Sequence, residues 1–544
     1  MVRLYEYQGK KLLKTINIPV PEGYVASTPD EVEEIAKKLN RPVVIKAQIL
    51  TTGRFKAGGI RFATSPEEAK LVANEILGKE IKGLKVEKLL VEEKLNIDRE
   101  YFLSITVSDS YKVKSPVILF STLGGVDVEV AAEEHPEKVV ITNVDYLQGL
   151  QYHETQTLVS KLVAEPHLVD AISSIACKLY DLFRRIDAST VEINPLILTK
   201  ENKIVAGDCR ITIDDNSVYR HPELNIDFPR DMLRPPTELE RIAWKIEESD
   251  YRGTCYFVQL VPSIEEIKRG GYIAFHGIGG GASMLAADIL MRKGLKLATY
   301  VDTSGNPTAS KVYRAIKTML SLPVDGYCLI GAVMANQEQW YHGFAIVKAL
   351  REEVMYRPGF PTLILIAGNK ERETHRIISE GLKGLPLRWE LYGRDHIYDI
   401  EFLADRMMAL VEEYRGSKEY EEYRRRIGGM PSETPAVIAE KKEPRGNVLQ
   451  FEFETGKVII DLSKCIAPAC GFACVKADRW YGRSCLRIED GKLSLTGTSE
   501  QLKRLCNECL ACEVVCELYG GKAIKIDLPL YGLIEFRKKY GMPM

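Results

Sequence analysis

The sequence predicts an α/β protein of several domains that ends in a small cysteine-rich one. Three observations carry that expectation. The chain has 544 residues, and at roughly 100–200 residues per domain that is about three domains. Short apolar runs alternate with helical stretches over residues 1–415, and from about residue 240 each strand is followed by a polar or Gly-rich turn and a helix, the pattern of a parallel sheet. Of 12 cysteines, eight crowd between Cys465 and Cys516.

Composition narrows the class. Hydrophobic residues make up 45% and charged residues 28%, ordinary for a globular protein with sizeable cores. With 74 basic and 76 acidic residues the formal net charge is -2, which gives no sign of a nucleic-acid binder. The opening Met1-Val-Arg-Leu-Tyr-Glu-Tyr-Gln has no apolar core of a signal peptide. No apolar stretch approaches the roughly 18 residues of a membrane span. A cytoplasmic protein without membrane contact is expected, and in such a chain a local cysteine cluster reads as a metal or cluster site rather than a disulfide scaffold.

The elements follow in order. Residues 42–46 and 89–92 read as buried strands, and residues 29–39 as an amphipathic helix with Ser27 or Thr28 as its cap. Residues 169–183 carry a helical apolar stripe. A polar, Pro-containing stretch (219–236) closes this first domain, placed at 1–230. Strands at 271–275, 326–330 and 361–366 belong to a second domain, 235–415; ligands of such sheets bind at the C-terminal ends of the strands. The charge run at 418–426 reads as a helix end leading into a solvated linker, 416–447. Residues 448–544 form the last domain.

Several features of the first domain suit a triphosphate. Lys46 ends a buried strand, and the loop Thr51-Thr-Gly-Arg-Phe-Lys-Ala-Gly-Gly59 joins backbone freedom to the cations Arg54 and Lys56. Alone, such a loop is more often a plain surface loop. Glu192-Ile-Asn-Pro followed by Gly207-Asp208 offers oxygens on adjacent strands, which suits Mg²⁺, although a polar hairpin has the same look.

Taken together, these motifs resemble the ATP-grasp domain of the succinyl-CoA synthetase β subunit. The opening Leu4-Tyr-Glu-Tyr-Gln-Gly-Lys, Val44-Ile-Lys-Ala-Gln, Gly53-Arg-Phe-Lys-Ala-Gly-Gly, Leu90-Val-Glu-Glu, Ser121-Thr-Leu-Gly-Gly-Val-Asp-Val-Glu129 and Glu192-Ile-Asn-Pro fall in the family's order, over roughly residues 3–415. The resemblance implies that Lys46, Gly53, Arg54, Phe55, Glu92 and Glu100 bind ATP or ADP. It implies that Asn194 and Asp208 bind Mg²⁺, and that catalytic Glu192 positions a phosphorylated histidine from a partner. Phe55 stands where the family usually has Gly, which leaves ATP versus GTP open.

His276-Gly-Ile-Gly-Gly-Gly-Ala-Ser283, Asp302-Thr-Ser-Gly-Asn-Pro-Thr308, Gly331-Ala-Val-Met-Ala-Asn336 and Gly368-Asn369 follow successive strands. They resemble the flavodoxin-like CoA-ligase domain of the same subunit and the matching parts of ATP-citrate lyase and citryl-CoA synthetase. By that resemblance Gly277, Gly279, Gly280, Ser304, Gly305, Asn306 and Asn336 form the substrate and phosphate loops. Gly331–Asn336 replaces the family's Phe-Gly-Gly-Ile, so the acid is open. The family activates a carboxylate through an acyl phosphate and a phosphohistidine, a covalent relay that divides one hard step. The histidine and most CoA contacts belong to an α-type subunit, and no Gly-His-Ala-Gly-Ala segment is present here. A separate α-type partner is implied. His276 reads as a loop histidine beside a phosphate site.

Cys506-x2-Cys509-x2-Cys512-x3-Cys516 is the spacing with which three thiolates wrap one face of an iron–sulfur cubane while the fourth serves a second cluster. Zinc sites typically use two C-x2-C pairs with a longer gap. With Cys465-x4-Cys470-x3-Cys474 upstream and the 486–495 hairpin between, the segment resembles a two-cluster ferredoxin, a small α+β domain. The resemblance implies one [4Fe–4S] cluster on Cys465, Cys470, Cys474 and Cys516, and a second on Cys506, Cys509 and Cys512. Asp478 replaces the family's next ligand and Cys485 is the candidate substitute; Glu517 stands where the family has Pro. The implied roles are electron transfer with a ferredoxin or a 2-oxoacid:ferredoxin oxidoreductase, redox sensing, or structure. The whole reads as the nucleotide-binding subunit of an ADP-forming acyl-CoA ligase (an acid–thiol ligase) with an electron-transfer domain. A non-catalytic electron-transfer or scaffold subunit of an oxidoreductase complex is the alternative.

Overall fold

The computed structural model describes residues 2–51, 53–108, 114–125, 132–226, 234, 236–303, 306–428 and 447–543. The chain divides into two compact units, Met1–Pro235 and Pro236–Met544. No helix among the described residues is long and apolar enough to cross a membrane.

The first unit holds two antiparallel sheets. The four-stranded sheet runs Gly23–Ala26, Leu89–Glu93, Val43–Ala47, Ile60–Ala63. Helices Pro29–Leu39 and Pro66–Ile76 bury Val32, Ala36, Leu39, Ala69, Ala73 and Ile76 in one cluster with Ile45 and Val91. Both start on a hydroxyl cap: Thr28 Oγ1 accepts from Glu31 N and Ser65 Oγ from Glu68 N. Each such cap contributes about 1 kcal/mol.

The larger sheet runs Val2–Arg3, Cys209–Ile213, Ala188–Thr199, Ile97–Val107, Pro116–Ser121, Val139–Asn143, with Ile204–Ala206 on the side of Ala188–Thr199. Helix Pro166–Arg185 covers it with Leu168, Ile172, Ile175, Leu179 and Leu182. These recur every three or four residues, which is why a helix here buries one face.

The second unit is built on a six-stranded sheet in the order Tyr256–Gln259, Lys296–Asp302, Tyr272–Ile278, Gly326–Glu338, Phe360–Asn369, Leu387–Tyr392. All pairs are parallel except the antiparallel edge strand Tyr256–Gln259. Its central strands are buried on both faces, as parallel strands are. Helices Gly280–Arg292 and Ile400–Arg415 pack with Phe275, Cys328 and Leu363 from one face.

Helices Ala309–Met319 and Trp340–Glu353 belong to the other side, and nearly every residue of both is buried. The cause is a further layer, formed by residues 447–543. That segment consists of an antiparallel sheet (Val448–Phe453, Gly456–Asp461, Ile524–Asp527), the hairpin Leu486–Glu489/Lys492–Leu495, and helices Ala473–Tyr481, Ser499–Leu505, Ala511–Tyr519 and Leu533–Lys539. Its apolar residues share one core with the two helices. Cations on the helices meet acids from the segment: Lys348 with Glu513, and Arg351 with Glu517.

The expected linker differs from the structure in its first part. Lys418–Gly428 is a helix, and Tyr423 and Ile427 are buried with Met542. They stand four apart, an apolar stripe on one face that the surrounding charge run obscures in the sequence. Residues 429–446 lie outside the described set.

Candidate functional site

In the first unit a buried ion cluster forms where helix Glu6–Thr15, the four-stranded sheet and the Gly207–Asp208 turn meet. Glu6 and Lys10 lie one helical turn apart, and Lys46 and Glu92 are near neighbours on adjacent strands. Lys10 Nζ donates to both oxygens of Glu92 (2.6 and 2.7 Å) and to Gly207 O (2.8 Å). Lys46 Nζ donates to Glu6 (2.7 Å) and Gly207 O (2.8 Å) and lies 2.8 Å from Glu92. Arg54 NH2 donates to Asp208 at 2.7 Å and lies 2.7 Å from Glu6, while its NH1 donates to Ala47 O.

Three cations thus face three carboxylates in a low-dielectric site. Burial alone would raise the Glu6 carboxyl, but Lys10, Lys46 and Arg54 hold it well below the usual range. Burial opposes the charge of Lys46 and Arg54 as well, and the surrounding acids more than restore it. Asp208 is pushed up by burial and then by Glu6. Two fixed cations beside a carboxylate are what a polyphosphate with a hard divalent ion requires.

Lys46, Arg54, Glu92 and Asp208 therefore stand together. Asn194 adjoins them, its N donating to Asp208 O at 3.2 Å, and its side-chain oxygen accepts from Gly125 N at 2.7 Å. Asn194 and Asp208 present oxygen donors that suit Mg²⁺. Glu100 lies beneath the Gly124–Gly125 turn: Gly124 N donates to its carbonyl, and burial raises its carboxyl. Glu192 lies two residues before Asn194 on Ala188–Thr199, between Ser104 and Arg210. Gly53 has φ +69°, a conformation glycine adopts without strain. Phe55 is 63% exposed, outside the ion cluster. Residues 126–129 of the expected motif lie outside the described set. Glu6 and Lys10 were missed as site residues; their i,i+4 spacing within Leu4-Tyr-Glu-Tyr-Gln-Gly-Lys is the signal that could have found them.

In the second unit the strand ends Ile278, Asp302, Glu338 and Asn369 lie along one edge of the parallel sheet. Gly277 cannot carry a Cβ, which would sit 2.1 Å from Ser283 Oγ. Gly279, at φ +100°, opens the turn into helix Gly280–Arg292, and its N–H donates to Asp302 Oδ1 at 3.3 Å. Asn306 N donates to Gln337 Oε1 at 3.2 Å, which joins one expected loop to the residue that follows another, Gly331–Asn336. Ser304, Gly305 and the side chain of Asn336 lie outside the described set.

His276 is a strand residue, fully buried, and not the loop histidine expected. Its Nδ1 meets Tyr327 Oη and its Nε2 meets Thr303 Oγ1, both at 2.7 Å; Thr303 Oγ1 lies 3.1 Å from His342 Nε2. Burial, then His342, keeps His276 neutral. With both nitrogens engaged and no solvent access, it supports the loops from below.

The cysteines of the C-terminal segment are all free thiols and fall into two sets. Burial and the neighbouring Cys516, Cys470 and Cys465 push the Cys474 thiol up to about 12. Cys485 shares a hydrogen bond with Cys506, which raises its thiol further than burial does, with Asp478 and Cys512 also near. Cys485, Cys506, Cys509 and Cys512 line one cavity with Asp478. Asp478 Oδ2 accepts from Leu486 N at 2.7 Å and so shapes the Cys485 loop. Among the described residues, no three His, Cys, Asp or Glu close together as the ligands of a single metal ion.

Comparison with known proteins places the chain in a family. Residues 3–198 match the ATP-grasp domain family and residues 263–401 the ATP citrate lyase citrate-binding family. The ADP-forming succinate–CoA ligase β subunit of Methanothermobacter thermautotrophicus is 33% identical over 390 residues, 72% of this chain and 96% of the relative. The GDP-forming β subunit of Thermus thermophilus is 35% identical over 380 residues, 69% of this chain and 93% of the relative. The structure of ATP citrate lyase from Methanothrix soehngenii in complex with citrate and coenzyme A superposes on 74% of this chain and 99% of its own, with a TM-score of 0.60 at 22% identity, a likeness of fold. From the identity and coverage of these β subunits, the chain belongs to the succinate–CoA ligase β-subunit family, a family of acid–thiol ligases.

Proposed function

We propose that this chain is the nucleotide-binding subunit of an ADP-forming acyl-CoA synthetase, completed by an α-type subunit that carries a phosphorylated histidine and most of the CoA contacts. The convergence of Lys46, Arg54 and Asp208 in one buried cluster carries the reading. The reaction joins a carboxylic acid to CoA with ATP, or runs in reverse. In the forward direction a histidine nitrogen of the partner takes the γ-phosphoryl group and ADP leaves. The acid's oxygen then takes the phosphoryl group and frees the histidine. The CoA sulfur attacks the acyl carbon, and phosphate departs.

Lys46 and Arg54 hold the triphosphate oxygens and offset their charge. Asn194 and Asp208 would hold Mg²⁺, which would offset the charge of the phosphates. Glu92 orients Lys46 and Lys10. Glu100 supports the turn that meets Asn194, and Glu192 orients the arriving histidine. The Gly279–Gly280 turn, which Gly277 precedes at the strand end, and Asn306 form the acid and phosphate loops.

The two cysteine sets would hold [4Fe–4S] clusters: Cys465, Cys470, Cys474 and Cys516 one, and Cys485, Cys506, Cys509 and Cys512 the other. Their sequence spacing and their grouping around two separate centres support this. Such clusters accept and release one electron, and an electron-transfer role with a ferredoxin-type partner follows.

Anaerobic purification with whatever copurifies, followed by an assay of ADP plus phosphate against acyl-CoAs including succinyl-CoA and citryl-CoA, tests the proposal. A brown preparation with an α-type chain that forms ATP from one acyl-CoA is expected. No ATP formation across the panel, with an oxidoreductase copurifying, overturns the ligase reading in favour of an electron-transfer subunit.

A further inference from the structure

The surface beside the second cysteine set is basic. Residues 464–504 carry eight Lys and Arg against four Asp and Glu, in a chain whose overall net charge is -2. One of the four acids, Asp478, is buried beneath the Cys485 loop. Lys464, Arg487 and Arg504 pair with acids on the same segment. Lys476, Arg479, Arg483 and Lys503 are exposed and form no ion pair among the described residues.

These cations lie close to the cysteines. Arg483 is two residues before Cys485, and Lys503 and Arg504 immediately precede Leu505 and Cys506. Lys476 and Arg479 stand on helix Ala473–Tyr481, which carries Cys474 near its start. The two stretches adjoin, since Cys485 and Cys506 line one cavity and Asn507 Nδ2 donates to Tyr481 O at 2.8 Å. Two apolar side chains here face solvent, Leu505 at 40% and Trp480 at 74% exposure, the Trp480 N–H donating to Glu373 at 3.1 Å. Cys506 itself is only half-buried.

We propose that this face docks an acidic protein that carries one electron, such as an acidic ferredoxin. The proposal rests on the iron–sulfur reading above and adds the entry point and its recognition. Unpaired like charges repel one another, and an acidic partner removes that cost. Charge complementarity steers encounter and acts mainly on the association rate. An exposed aromatic within a charged rim gives a small contact its anchor, and electron-transfer encounters are small. The half-buried Cys506 brings the cluster edge to the contact. The carrier's reduced centre loses one electron and the cluster gains it; no bond forms and no proton moves.

The experiment uses the full chain, purified anaerobically, with iron and acid-labile sulfide measured first. Its probe is a reduced, acidic two-cluster ferredoxin, followed by stopped-flow bleaching of the chain's clusters and by surface plasmon resonance. The association rate is expected to fall steeply with added salt. It should fall at least about tenfold at low salt in a variant with Lys503→Glu and Arg504→Glu, and in one with Lys476→Glu and Arg479→Glu. Iron content and melting temperature should stay as in the parent. An iron-loaded chain that does not bind the ferredoxin overturns the docking surface and leaves the clusters standing, as do charge reversals without effect. Tighter binding of a single-stranded RNA that displaces the ferredoxin also overturns it. A chain without iron that binds the ferredoxin with the same salt dependence overturns the cluster reading alone.

Discussion

Lys348 Nζ donates to Glu513 Oε1 at 2.8 Å between two helices that Arg351 and Glu517 also join. One helix follows the strand that leads to the acid loops, and the other carries Cys512 and Cys516. Burial outweighs the lysine and raises the Glu513 carboxyl to about 6, so the pair anchors the segment at some cost. Lys348→Met leaves that carboxylate uncompensated. A loss of about 3–5 kcal/mol is expected in chemical denaturation of the second unit. Lys348→Met with Glu513→Gln should lose clearly less.

Arg54 opposes the burial and the Glu6 charge that raise the Asp208 carboxyl. Arg54→Met removes a charge-assisted contact worth about 1.5–3 kcal/mol, and ATP should bind roughly 10- to 100-fold more weakly by calorimetry. Phe55, exposed and outside the ion cluster, gives a control: Phe55→Gly should change triphosphate affinity by no more than about twofold.

Glu353 ties helix Leu533–Lys539 to the α/β layer through Arg537 at 2.8 Å, and also pairs with Lys317 of helix Ala309–Met319. Burial alone would raise its carboxyl, but Lys317, Arg537 and Arg357 hold it at about 2, against 4.5 for the free group. A depressed carboxyl contributes stability that is complete above pH 4.5 and is lost as the pH falls towards 2. That contribution is on the order of 3 kcal/mol. Denaturant midpoints measured across this window should fall with pH in the parent, and much less in Glu353→Gln, which is already weaker at neutral pH.

Gly277 packs against Ser283 with no room for a methyl group. Gly277→Ala should cost about 1–3 kcal/mol by displacing the start of helix Gly280–Arg292. Ser283→Ala in the same chain should recover part of the melting temperature, because the hydroxyl leaves while its Cβ, at 2.3 Å, remains.

Cys485 stands as the fourth thiol of the second set. Cys485→Ser should lower bound iron and give the electron paramagnetic resonance signal of a three-iron cluster after oxidation. An unchanged spectrum would remove Cys485 from the ligand set. Cys177, half-buried near Thr155, serves as the control.

The sequence by itself determined the local elements and the chemistry they carry. Strands Val43–Ala47 and Leu89–Glu93, the Thr28 cap and the strand–turn–helix repeats follow from periodicity and capping, which act over a few residues. Lys46, Arg54, Glu92 and Asp208 were legible as a set through family motifs in order. Only the tertiary structure decided that Glu6 and Lys10 complete their cluster, since Lys10 and Glu92 lie 82 residues apart along the chain. It also moved His276 from a loop to the core, and turned Tyr423 and Ile427 from a charge run into a packed face. The same holds for Lys348 and Arg351, which on a helix read as solvated until a second layer covers them. Periodicity records which side of an element is buried, and it is silent about what distant segment does the burying.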